Sequence, residues 1–241
     1  GKYAYSADGI TWSSLQTAYN NCSGCIVVGD FNNRVYFACI QPNNIREIAY
    51  ITTLGGAYNP CTLPPVGDGS KARVISGIGA YISSKYYFVG YVAPNDINEP
   101  AIWESSDGVN FTRYTTAETA LIAAAPSLTA PSLRYTEDTT IILGGTTTST
   151  LPARDVFGVI MSGFGTTPTA TLFIKNPSGR TDKNTNSAST IIRLRCGRYV
   201  FGMGGNVNYS RVVWTDKPMS EWASSSDSDW TVINPDVTAT T

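Results

Sequence analysis

One short strand pattern recurs along the whole chain, and that recurrence limits the fold more than any other feature. Arg34-Val35-Tyr36-Phe37-Ala38, Lys85-Tyr86-Tyr87-Phe88-Val89-Gly90 and Arg198-Tyr199-Val200-Phe201-Gly202 share a basic residue, apolar or aromatic positions and a small residue. With Thr140-Ile141-Ile142-Leu143-Gly144-Gly145 as the missing copy, the steps between Phe37, Phe88, Leu143 and Phe201 are 51, 55 and 58 residues. A second marker, an apolar strand closed by a polar turn, is anchored on Tyr5, Tyr50, Trp103, Met161 and Trp214, at steps of 45, 53, 58 and 53. A further apolar strand precedes the first marker at Cys25–Gly29, Val74–Gly79 and Ile191–Leu194. Four strands in 45 to 58 residues is the size of a propeller blade. The expected fold is all-β, a single β-propeller domain over 1–241 with about 4.5 to 5 blades. Its units are a half blade at 1–20 and full ones at about 21–66, 67–116, 117–183 and 184–234. The only helix candidate is 117–125, ended by Pro126, so one short helix or loop excursion is expected there.

Composition removes much of the usual chemistry. The chain has no histidine, which excludes Ser-His-Asp and Cys-His nucleophile systems and histidine zinc sites. With 17 Lys+Arg against 18 Asp+Glu, no global field favours nucleic acid or an anionic membrane. The densest apolar run, Ala120 to Ala125, is too short to span a bilayer. The start at Gly1, without an initiator Met or leader, suggests a piece of something longer. Five cysteines allow at most two bridges, and Cys22-x-x-Cys25 has no second pair to complete a zinc site, so buried thiols or a local bridge are expected rather than metal.

Two turns repeat a motif: Ser6-Ala7-Asp8-Gly9-Ile10-Thr11-Trp12 and Ser105-Ser106-Asp107-Gly108-Val109-Asn110-Phe111. Glycine accepts positive φ, the carboxylate bonds turn amides, and the aromatic packs back on the blade. Gly9 and Gly108 are therefore expected at positive φ. The motif resembles the Asp-box of sialidase-like (BNR) propellers, shortened by one residue as in repeats of bacteriophage virion and tail-associated proteins. The resemblance implies that Ser6, Asp8, Gly9, Trp12, Ser105, Asp107, Gly108 and Phe111 are structural. Sialidase chemistry needs three arginines, a tyrosine with a glutamate partner and an aspartic acid. No Arg-Ile-Pro stands near the N-terminus, and four and a half blades fall short of that family's six, so no catalytic residue is carried over.

Seven basic residues between Lys175 and Arg211 face one acid, Asp182, and Arg193 and Arg195 are a candidate anion-binding pair on one strand face, the alternative being solvated ion pairs. The recurring aromatics Tyr5, Tyr36, Tyr50, Tyr87, Trp103 and Trp214 read as blade core. Tyr19, Tyr58, Tyr91, Tyr114, Tyr209 and Trp222 lie outside the pattern and are the candidates for stacking on a sugar. The carboxylate pairs Glu137/Asp138 and Asp227/Asp229 sit in turn-rich segments without calcium-loop spacing.

Together with the resemblance, these features give the expectation of a non-enzymatic phage virion or tail propeller, on the virion surface or otherwise extracellular. Its partners would be other virion proteins, copies of itself or a host-surface glycan, without nucleic acid, membrane insertion, metal or cofactor. The alternative is a secreted glycan-binding or sialidase-like hydrolase propeller.

Overall fold

The structure is a computed structural model that describes residues 2–17, 24–40, 46–64, 70–94, 98–147, 151–152, 154–179, 188–203 and 211–233. The chain divides into two compact units, Gly1–Thr115 and Thr116–Thr241.

The first unit opens with a two-stranded hairpin, β1 (Lys2–Tyr3) against β2 (Gln16–Thr17). A four-stranded sheet follows, β3 (Gly24–Phe31), β4 (Arg34–Ile40), β5 (Arg46–Ile51) and β6 (Asn59–Pro60), each strand antiparallel to the next. In the second sheet the first strand is interrupted, so β7 (Ser70–Ile75) and β8 (Ala80–Ile82) both pair with β9 (Lys85–Pro94), which is followed by β10 (Glu99–Ser105) and β11 (Thr112–Arg113). Helix α1 (Thr115–Ala124) leads into the second unit. There β12 (Leu128–Glu137), β13 (Thr140–Thr147), β14 (Val156–Ser162) and β15 (Thr169–Lys175) form the third sheet. The fourth comprises β16 (Ala188–Arg193), β17 (Tyr199–Met203), β18 (Arg211–Thr215) and β19 (Trp230–Ile233). All four are meandering antiparallel blades of a β-propeller fold, as the repeat spacing requires. No helix among the described residues is long and apolar enough to cross a membrane.

Local chemistry explains the hairpins. Asn32 and Asn33, between β3 and β4, take φ of 50° and 59°, and Ser83 and Ser84, between β8 and β9, take 51° and 62°. Two successive positive φ values define the two-residue turn whose twist matches the strands it joins. Gly9 and Gly108 lie at φ 74° and 70°.

The pairing register corrects the expected core. Trp103 lies opposite Phe88, whereas Tyr50 lies opposite Tyr36 and Trp214 opposite Val200. Aligned on the second-strand phenylalanines, Trp103 is thus one residue out of phase with Tyr50 and Trp214, and a one-residue offset reverses the face. Tyr36, Tyr87 and Trp103 are buried, while Tyr5, Tyr50 and Trp214 are only half-buried. The recurring basic residues explain the half-buried positions. Arg34 stacks 4.6 Å over Tyr50, Lys85 pairs with Glu104 at 3.1 Å, and Arg198 stacks 3.6 Å over Trp214. Each cation thus crosses to the same register position on the third strand.

Candidate functional site

The conspicuous turn carboxylates are spent on the fold. Asp8 Oδ1 accepts the amides of Ile10 and Thr11, both at 2.8 Å, and the Ser6 hydroxyl at 2.9 Å. Asp107 Oδ1 accepts Val109 and Asn110 amides and the Ser105 hydroxyl, each at 2.8 Å. Those donors hold both carboxyls well below the usual range.

A second cluster has the residue types of a tyrosine–glutamate pair. Tyr199 donates to Glu137 Oε2 at 2.6 Å, Tyr135 donates to the same oxygen at 3.3 Å, and Arg193 pairs with Oε1. Burial comes first in pushing the Tyr199 phenol upward, and the bond to Glu137 adds to it, so the phenol stays protonated at neutral pH. Tyr199 is 4% exposed, with its ring edge-on to Trp222 at 5.0 Å. The same strut recurs in the first unit, where Tyr86, at the register position of Tyr199, accepts from Asn32 Nδ2 at 2.9 Å. A buried tyrosine that repeats between sheets in this way holds them together, while the Glu137 and Arg193 side chains of the cluster reach solvent.

A third cluster is saturated as well. Asp155, its side chain fully buried, pairs with Arg211 and accepts the Ser178 hydroxyl at 2.8 Å and the Ser178 amide at 2.7 Å.

What breaks the repeat is the long connection between β18 and β19. Where the second sheet has a seven-residue Asp-box turn, the fourth sheet has two 3-10 turns, Met219–Glu221 and Asp227–Asp229, the latter closed by reciprocal bonds between Ser226 and Asp229. Trp222 fastens the segment, fully buried with its indole N–H on Lys217 O at 2.9 Å. The folded-back segment leaves a cavity of about 270 Å3 lined by Trp214, Asp216, Lys217, Ser228, Asp229 and Thr231. Arg198 forks onto Asp216 at 2.8 and 3.0 Å and lowers its pKa. The Ser226 amide and hydroxyl lower that of Asp229. Lys217 lies 3.6 Å from Asp229 and 3.7 Å from Glu221, so the cleft offers an aromatic edge, paired carboxylates that keep lone pairs for further donors, and two hydroxyls, a lining that suits a polyhydroxylated ring.

The expected stacking residues are scattered. Trp222 is core. Tyr58 is half-buried, 2.7 Å from Cys39 Sγ and 6.0 Å from the Phe37 ring. Tyr91 is half-buried within β9 opposite Pro100, and Tyr114 lies 6.0 Å from Tyr87. Tyr19 and Tyr209 fall outside the described residues. Arg193 ends β16 and holds Glu137, while Arg195 sits exposed in the following turn, so the two do not share a strand face. Cys39 is disulfide-bonded and stands in register opposite Cys25, Cys61 and Cys196 are free, and Cys22 is outside the described residues. Asp216 and Lys217 are not among the residues that sequence singles out, and Trp214 reads there as core; the long gap between Trp214 and Trp230 marks an irregular connection but not which side chains it gathers.

No family model matches the chain, and no curated protein matches it. Solved structures do. A Trypanosoma rangeli sialidase mutant displaying trans-sialidase activity superposes with a TM-score of 0.51 at 13% identity, over 88% of this chain and 41% of its own. A GH43 β-1,3-galactosidase gives 0.50 at 12% identity, over 89% of this chain and 46% of its own. The chain spans less than half the length of either, and at such identity the likeness establishes the propeller fold. It also corrects the expectation of a non-enzymatic virion or tail-associated protein, because the architecture is met among glycoside hydrolases. The physical reason is that the Asp-box turn on which that expectation rested is a folding device, indifferent to biological setting.

Proposed function

We propose that the chain acts on glycans, as a propeller of the glycoside-hydrolase type, and that the cleft beside Trp214 holds a saccharide unit. The observation that carries this reading is the cleft's lining: Trp214 with Asp216, Lys217, Ser228, Asp229 and Thr231 around about 270 Å3. The indole edge offers apolar surface to the C–H groups of a sugar while Arg198 covers one ring face, and ionised carboxylates are strong acceptors for its hydroxyls. A general acid for glycoside cleavage needs a raised carboxyl pKa, and both of these are lowered, so Asp216 and Asp229 bind rather than protonate.

Glycan-array binding with the full chain, followed by a panel of fluorogenic glycosides, tests the proposal. The expected result is selective retention of a glycan class that Trp214→Ala weakens about tenfold, equivalent to about 1.4 kcal/mol. A chain that retains no glycan and cleaves no glycoside in the panel overturns it.

A further inference from the structure

The two faces of the fourth sheet differ sharply. One carries Ile191, Tyr199, Phe201, Val213 and Trp230, all 5% exposed or less. The other carries Val200 and Trp214, half-buried, with Ile192 and Ile233 at 48% and 51% exposure. Strand register matches that open face to a covered one in the first sheet: Arg198, Val200, Trp214 and Ile233 take the positions of Arg34, Tyr36, Tyr50 and Cys61.

The cover over the first sheet is an Asp-box turn. Arg34 donates to Asp107 O at 2.5 Å, and Tyr36 donates to Gly108 O at 2.9 Å. Thr62 exchanges 2.8 Å backbone bonds with Val109 and Phe111. The chain's other Asp-box turn has the same internal bonds but leaves Ile10 85% and Trp12 63% exposed, and the space beside Gly9 is empty to 4 Å. Turn and socket depart from the docked pair in the same direction. Ile10 and Trp12 replace the smaller Val109 and Phe111, while Val200 and Ile233 replace the donors Tyr36 and Cys61. A more apolar turn thus matches a more apolar socket, with the stacked arginine retained for the turn carbonyl.

We propose that the Asp-box turn at residues 6–12 of one copy docks on the Arg198–Trp214–Ile233 face of a second copy, a head-to-tail contact. Such an interface is heterologous, so a dimer keeps a free socket on one copy and a free turn on the other, and association continues beyond the dimer. The proposal does not depend on the glycan reading. Trp214 serves both cleft and socket, but the readout here is mass, so the two ideas fail separately.

Sedimentation of the full chain over a range of concentrations should show an average mass rising through dimer to longer species. Trp12→Ala, which spoils only the turn, and Ile233→Glu, which spoils only the socket, should each weaken association by about tenfold or more. Arg198→Ala is the alternative socket variant should Ile233→Glu melt early. An equimolar mixture of a turn variant with a socket variant retains one good contact and should give a 1:1 dimer that does not grow. A mass that stays monomeric at all concentrations, indifference to the variants, or no dimer in the mixture overturns the proposal.

Discussion

The two Asp-box turns are nearly the same object in two settings. Both carry a Ser–Asp hydroxyl bond, a glycine amide on the serine hydroxyl, two further amides on one carboxylate oxygen, and a glycine near φ 70°. Around residues 105–111 the turn is roofed. Gly108 is buried beneath Tyr36, Arg34 and Tyr86, Cys61 Sγ donates to its carbonyl at 3.6 Å, and Phe111 packs 5.2 Å from Phe88. The same burial pushes the Cys61 thiol up to about 12, so it stays a thiol at neutral pH. Around residues 6–12 the same bonds are open to water. The turn geometry is therefore set locally by serine, aspartate and glycine, while tertiary packing decides whether it contributes to global stability.

The aromatic that closes each turn should separate the two settings most. Phe111→Ala removes a 3%-exposed ring from the core that includes Phe88, Tyr36 and Trp103, and should cost about 3–5 kcal/mol. Trp12→Ala, measured in dilute solution, should fall within about 0.5 kcal/mol of the parent. Chemical denaturation of both variants checks this, and equal losses would mean that the first turn is roofed too.

The glycines give the next largest contrast. A residue with a Cβ at positive φ costs about 1–2 kcal/mol wherever it sits. At Gly108 a Cβ would also stand 2.3 Å from the Tyr36 hydroxyl and 2.6 Å from Arg34 Nη1, an overpacking that adds about 1–3 kcal/mol. Gly9 has nothing within 4 Å. Thermal melts should therefore show a clear drop for Gly108→Ala and a much smaller one for Gly9→Ala. A substituted Gly108 as stable as a substituted Gly9 would show that the roof yields at no cost.

Much of this was readable from the sequence, because the readable parts are set by neighbours in the chain. The period of the Phe37, Phe88 and Phe201 strands reflects one strand pattern repeated, and Asp-Gly with a preceding serine dictates its own turn. The helix candidate at 117–125 is a helix, at Thr115–Ala124. Which face an aromatic takes is a different matter. Trp103 and Trp214 read alike in sequence, yet register sets them on opposite faces, and register depends on strand pairing rather than residue type. Trp222 looked like an exposed loop aromatic until the folded-back segment carried it into the core. The cleft depends on that same refolding, and Asp216 and Asp229 are thirteen residues apart in the chain, so neither composition nor spacing could bring them together.

Acid should produce the smallest difference and the most specific one. Asp107 and Asp8 are both held below the ordinary aspartate value, about 3.9 in an unfolded chain, first of all by turn amides. A depressed folded-state pKa gives stability that is present above about pH 4 and is lost as pH falls toward the folded value. For Asp107 the turn opens only when the surrounding core does, so Asp107→Asn should lower the melting temperature at pH 7 and reduce its further decline between about pH 4 and 2. The Asp8 turn can open while the rest of the unit stays folded, so Asp8→Asn should leave the acid limb of the melting curve unchanged. It should instead speed hydrogen exchange at the Ile10 and Thr11 amides that Asp8 holds at 2.8 Å. An acid limb altered equally by both substitutions would mean that the first turn unfolds only with the core, and the contrast between a roofed and an open turn would fail.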